Sequence, residues 1–250
     1  MSSDLLQEIS DFFSWYKTIY GPEISIEGEF NSAVNTYPAV EKAEIPAPKE
    51  QYSDTAVTLK TFDEQLVHHQ HPQLKAFYQE INQCSKCSLY SSRTNFVFGM
   101  GNPQADIMFI GEAPGRDEDL QGLPFVGKAG QLLDRMLFAM RMKREDVYIA
   151  NVLKCRPPNN RDPLPDEVLH CEPYLKKQIE IIKPKVIIAL GRISAQVLLK
   201  RTDSLSLLRQ NEQLYEEIPF IVTYHPAALL RNPGWKAKAW QDLQKIRHYL

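Results

Sequence analysis

Asp106-Ile-Met-Phe-Ile-Gly111, running straight into Glu112-Ala-Pro-Gly115, is the stretch on which the fold turns. A short apolar run without polar alternation, closed by Gly, has the pattern of a strand buried on both faces. Val147-Tyr-Ile-Ala-Asn-Val152, Lys185-Val-Ile-Ile-Ala-Leu190 and Pro219-Phe-Ile-Val-Thr-Tyr224 repeat it. Between them, apolar residues recur at helical spacing near 129–142, 166–182 and 192–201, and again near 236–249. Strands alternating with such helices predict an α/β fold: three α/β/α layers around a central, mainly parallel four-stranded sheet. Ligands of such sheets gather at the carboxyl ends of the strands. Three loops are therefore expected to hold the chemistry: Gly111–Gly115, Asn151–Arg156 and His225–Arg231.

The rest of the chain divides by charge. Of 250 residues, 29 are Lys or Arg and 31 Asp or Glu, a formal net of −2 that by itself argues against a nucleic-acid partner. The average conceals two parts, because residues 1–75 hold 5 Lys+Arg and 12 Asp+Glu, and residues 76–250 hold the other 24 and 19. Leu5, Leu6, Ile9, Phe12, Phe13 and Tyr16 behind a Ser3 cap predict one amphipathic helix, after which Pro22, Pro38, Pro46, Pro48 and Pro72 punctuate an acidic, aperiodic tether. The domain reading is an N-terminal helix and tether over 1–72 and a catalytic domain over 73–250. Gln73-Leu-Lys-Ala-Phe77 loosely resembles a sliding-clamp peptide but is read as the opening of a helix. The start is acidic where a secretory signal is basic, and Val186–Leu190 is far too short to span a bilayer, so a cytoplasmic protein without membrane contact is expected.

Four cysteines are too few for a disulfide scaffold. Cys84-Ser-Lys-Cys87 is one close pair, and Cys155 and Cys171 stand apart. Structural zinc sites usually take two close pairs. One pair plus two singles favours an iron-sulfur cluster over zinc or unliganded thiols, with both alternatives left open by spacing alone.

In the first loop, small residues let backbone N–H groups approach a ligand while Glu112 places a carboxylate at the strand end; neither phosphate-loop spacing is present. Phe125, in Pro124-Phe125 between glycines, is placed to stack on a planar ligand. In the last loop, His225 follows a buried strand, and Leu229-Leu230-Arg231 is an apolar wedge beside a cation, of the kind that unstacks duplexes.

Gly111-Glu-Ala-Pro-Gly115, the Pro124-Phe-Val-Gly127 step, Asn151-Val-Leu-Lys-Cys-Arg-Pro-Pro158 and His225-Pro-Ala-Ala-Leu-Leu-Arg231, together with the four cysteines, resemble a family-4 uracil-DNA glycosylase from Cys84 to the C-terminus. The resemblance implies a DNA repair hydrolase that flips deoxyuridine out of single- or double-stranded DNA, cleaves its N-glycosidic bond and leaves an abasic site. It implies a structural [4Fe-4S] cluster on Cys84, Cys87, Cys155 and Cys171. It further implies a uracil pocket formed by Glu112, Ala113, Phe125, Asn151 and His225, with Glu118 occupying the space of a thymine methyl. Catalysis is expected of His225 and Glu112, with Asn160 a second candidate for positioning water. Leu229 or Leu230 would fill the gap in the duplex, and Arg231, Lys86, Arg93 and Lys154 would meet phosphates. A related branch traps uracil covalently through a histidine-containing insertion; Arg156–Pro163 has no histidine, so turnover by a monomer is expected. The competing expectation is an iron-sulfur nucleic-acid-binding module without glycosylase activity.

Overall fold

A computed structural model describes residues 71–250, so the expected first helix and the tether up to residue 70 lie outside the described residues. Helix α1 (Pro72–Ile81) starts where the Gln73–Phe77 stretch was expected to open one. Strands β1 (Met100–Gly101) and β2 (Ile107–Gly111) follow, then α2 (Arg116–Gln121), α3 (Lys128–Ala139) and β3 (Tyr148–Asn151). Next come α4 (Pro165–Ile182), β4 (Val186–Leu190), α5 (Arg192–Leu199), α6 (Leu205–Gln210) and β5 (Gln213–Tyr215). The chain closes with β6 (Ile218–Thr223), α7 (Pro226–Arg231) and α8 (Lys236–Gln244).

The sheet has six strands in the order β1-β3-β2-β4-β6-β5, which corrects the expected four. The four read from sequence form its parallel centre; β1 and β5 join as antiparallel edges. Each edge strand has only two or three residues, too few to leave a periodic signal.

Side-chain alternation along the central strands builds two cores. Met108, Ile110, Ile187 and Ala189 face one side, where α1, α4, α5 and α6 cover them. Ile107, Phe109, Val186 and Ile188 face the other, under α3, α7 and α8. These are the three expected layers.

Register positions the site. Gly111 pairs with Asn151 and Leu190 with Thr223, so the three loops named from sequence leave the sheet at one carboxyl edge. Backbone bonds carry the first two loops onward together: Val152 N–H donates to Gly111 O and Leu153 N–H to Glu112 O, each at 3.0 Å. No described helix is long and apolar enough to cross a membrane.

Candidate active site and cysteine cage

A cavity of about 370 Å³ opens at this edge, lined by Glu112, Ala113, Glu118, Phe125, Asn151, Asn160, His225 and Arg231 among others. Eight positions singled out from sequence thus meet in one place.

Asn151 forms the floor. It is 2% exposed, and its Oδ1 is buried with no hydrogen-bond partner. An unpaired buried amide oxygen costs about 1–3 kcal/mol unless a ligand completes it. Gly111 makes this floor possible, since a Cβ there would lie 2.3 Å from Asn151 Oδ1 and 2.6 Å from the Phe125 ring.

Phe125 is a wall, not an exposed loop aromatic: it is 5% exposed and has a left-handed φ of 55°. Arg144 holds that turn by donating to the carbonyl oxygens of Pro124 and Phe125. Glu118 accepts the N–H groups of Gly115, Val126 and Gly127 at 3.1, 2.9 and 3.0 Å, closing the same loop from its other end. Its oxygens are therefore engaged by backbone while the side chain lines the cavity.

His225 is the N-cap of α7. Its Nδ1 accepts the Ala227 N–H at 3.2 Å, which fixes the neutral tautomer with the proton on Nε2. Burial, helped by Arg231, pushes its pKa down to about 4, so the ring is neutral at physiological pH. Its centroid stands 5.6 Å from that of Phe125. Gly191, at φ 99°, leaves room beside the histidine, since a Cβ there would lie only 3.0 Å from His225 Cβ.

Burial and the nearby Asp162 charge raise the Glu112 carboxyl to about 7, against the opposing pull of Arg192. Asp162 also lines the cavity and pairs with Arg192 at 3.1 Å. Sequence reading passed over Asp162, although its place two residues beyond Asn160 in a Pro-bounded loop was a usable signal. Asn160 lies on the exposed rim, and its Oδ1 accepts from Arg156 at 2.7 Å.

Three expectations for the DNA-facing side chains are corrected. Pro226 and Pro233 bracket a short helix instead of a projecting loop. Leu229 is 1% exposed and packs into the core, whereas Leu230 is 39% exposed, so only Leu230 projects. Lys154 is fully buried, donating to Asn151 O at 2.8 Å and Gln178 Oε1 at 2.6 Å, and Arg93 is turned inward; neither is placed to meet phosphates. Lys86 is exposed above the Tyr174 ring.

The four cysteines, all free, line a second, small cavity walled by Leu89, Phe96, Leu153 and Tyr174. Three donors point at sulfur: Arg93 to Cys155 at 3.3 Å, the Lys154 N–H to Cys171 at 3.2 Å and the Tyr174 hydroxyl to Cys84 at 3.2 Å. Such donors suit anionic thiolates. Arg93 also donates to the carbonyl oxygens of Cys84 and Asn82, tying the close cysteine pair to the strand exit. No three His, Cys, Asp or Glu among the described residues converge as ligands of a single metal ion. All four thiols instead line one shared space, the donor set that a four-thiolate cluster takes.

A doubly covered parallel sheet with an amide, an aromatic ring, a carboxylate and a neutral histidine meeting at its carboxyl edge defines an α/β enzyme site for a small planar polar ligand. The family model of the Uracil DNA glycosylase superfamily matches residues 98–244. The chain is 49% identical over 176 residues to the Type-4 uracil-DNA glycosylase of Archaeoglobus fulgidus, covering 67% of this chain and 88% of that protein. It is 42% identical over 176 residues to the Type-4 enzyme of Thermotoga maritima, covering 69% and 92%. The Type-5 uracil-DNA glycosylase of Pyrobaculum aerophilum is 26% identical over 180 residues, covering 65% and 79%. The chain belongs to the uracil-DNA glycosylase superfamily, and its relatives at 42–49% identity are of the type-4 branch.

Proposed function

We propose that the protein is a DNA repair hydrolase that excises uracil, flipping deoxyuridine into the 370 Å³ cavity and hydrolysing its N-glycosidic bond. One observation carries the reading: the buried Asn151 amide at the cavity floor, its Oδ1 without a partner, beside an aromatic wall and a neutral histidine. An amide both accepts and donates, which matches the N3–H and O4 edge of uracil. A ring against Phe125 with that edge on Asn151 turns O2 toward His225. As the glycosidic bond lengthens, negative charge gathers on the departing base and cationic character on the sugar. The His225 Nε2–H stabilises the first by hydrogen bonding. The Glu112 carboxylate faces the second and orients the attacking water. Ala113 and Glu118 shape the wall against bulkier bases, Leu230 fills the vacated stack, and Arg231 meets a phosphate at the rim.

Cys84, Cys87, Cys155 and Cys171 would hold a [4Fe-4S] cluster, which when bound supplies a structural cross-link. Residues 73–250 are proposed as the catalytic unit, working as a cytoplasmic monomer, with 1–72 an appendage.

Incubating the protein with uracil-containing oligonucleotides, single-stranded and duplex, followed by alkaline scission, tests the function. Strand cleavage at uracil and none at thymine is expected; uncleaved uracil strands would leave a DNA-binding module only. For the cage, the purified protein is expected to contain iron and absorb broadly in the visible. Cys171→Ser should remove that absorbance and lower Tm by about 5–15 °C, on the scale of losing one long-range covalent tie. A colourless, iron-free wild-type protein with unchanged Tm in the variant would refute the cluster.

A further inference from the structure

Beside the pocket stands a column of planar groups. The Arg209 guanidinium lies 4.2 Å from the centroid of the Tyr224 ring, and Trp235 stacks on that ring with centroids 5.1 Å apart and planes 26° from parallel. Two planar groups this close to one ring take its opposite faces. The inner end is anchored: Arg209 makes a bidentate pair with Asp242 at 2.7 and 3.0 Å, and Asp242, 3% exposed, also accepts the Thr223 hydroxyl at 2.8 Å. The outer end is open, since Tyr224 is 7% exposed and Trp235 is 39% exposed.

Its position in the chain gives this column a purpose. Tyr224 immediately precedes His225, and Trp235 comes four residues after Arg231, which lines the cavity. From Ile218 to Gln241 the sequence has no Asp or Glu but carries Arg231, Lys236 and Lys238. A rigid indole with one free face, in a strip lacking carboxylates, complements a stacked polyanion.

We propose that the outer face of Trp235 is a stacking site for a nucleobase of the DNA strand next to the flipped nucleotide. The inference rests on the uracil-DNA reading and adds a base contact outside the pocket. Flipping strips the neighbouring base of one stacking partner, and the indole replaces it. Because Arg209 and Tyr224 already hold the ring, little ordering entropy is lost on contact. Base–aromatic stacking is sequence-tolerant, so the site accepts any base.

The test uses the full-length protein and single-stranded oligonucleotides carrying an abasic site, in which each neighbouring base is replaced in turn by an abasic spacer and Kd is measured by fluorescence anisotropy. Wild-type protein should lose roughly 5- to 150-fold in affinity when one particular flanking base is removed. Trp235→Ala should show that loss with the intact strand and no further loss when the base is deleted, while Trp235→Phe retains the dependence. If Trp235→Ala does not fold, Trp235→Leu keeps apolar bulk without a ring face and serves instead. Base deletions that cost wild type nothing, or that cost wild type and variant equally, overturn the proposal. Parallel cleavage of uracil oligonucleotides by wild type reads the underlying function separately: absent cleavage with Trp235-dependent base coupling would remove that function and leave the stacking site standing.

Discussion

His225→Ala should lower the rate of uracil release by about 10²–10³-fold, the usual cost of one donor aimed at developing negative charge. Binding to abasic DNA should barely change, because the lost interaction strengthens only as the base departs. The substitution also removes the α7 cap, worth about 1 kcal/mol, so a second variant separates the two roles. His225→Asn offers a side-chain oxygen to the Ala227 N–H but no donor where Nε2 stood. It should keep the stability of the wild type and lose as much rate as the alanine variant; an active His225→Asn enzyme would strip the histidine of its role. The pH dependence follows from the depressed pKa. Between the ordinary His value and about 4, the unfolded chain binds a proton that the folded one does not. Stability contributed by His225 is therefore lost as pH falls from about 6.5 toward 4.

Glu112→Gln is expected to cost about 10²–10⁴-fold in kcat/KM and, more tellingly, to flatten the acid limb of the pH profile. In the wild type the carboxyl ionises near 7 because it is buried beside Asp162. Activity that needs the carboxylate should rise about tenfold per pH unit below that point and level off above it. Stability runs the other way. The native protein holds this proton between the ordinary carboxylate range and about 7, so its contribution is lost as pH rises through that window. Glu112→Gln should thus have the higher Tm at pH 8. An unchanged pH profile in the variant would assign the limb to another group. Asn160→Ala is the useful contrast, because its carbonyl oxygen is engaged by Arg156 on the rim, and a small effect is expected.

The parallel centre of the fold was legible because four unbroken apolar runs are what burial on both faces demands, and their carboxyl ends pointed to loops that line one cavity. The edge strands were not, since a two-residue pairing such as Met100–Gly101 exists only through its partner. Among the site residues, those at strand ends were brought together as expected. The failures share a cause. A cation in sequence carries no mark of which way it points, and Lys154 and Arg93 turn inward to the Asn151 carbonyl and the cysteine cage. Leu229 and Leu230 are neighbours in sequence, but helical geometry turns successive side chains through about 100°, so one enters the core while the other faces solvent. The bracketing prolines concealed that helix, because Pro226 in the first turn starts it instead of forbidding it.

The pocket floor and the cysteine cage lie on one short strip of chain, from the Asn151 amide to the Cys155 thiol. Lys154 sits between, its ammonium on the Asn151 carbonyl and its amide on Cys171. Both ends are fixed in space, one by the sheet register and the other by Arg93 at the Cys155 thiol, so the strip acts as a ruler with no slack. Side chains along it are held as tightly: Val152, Leu153 and Lys154 are fully buried, and Lys154 is bonded at its head. Its length is fixed as well: one residue added or removed would draw either the Asn151 amide away from the cavity or the Cys155 thiol away from the other cysteines.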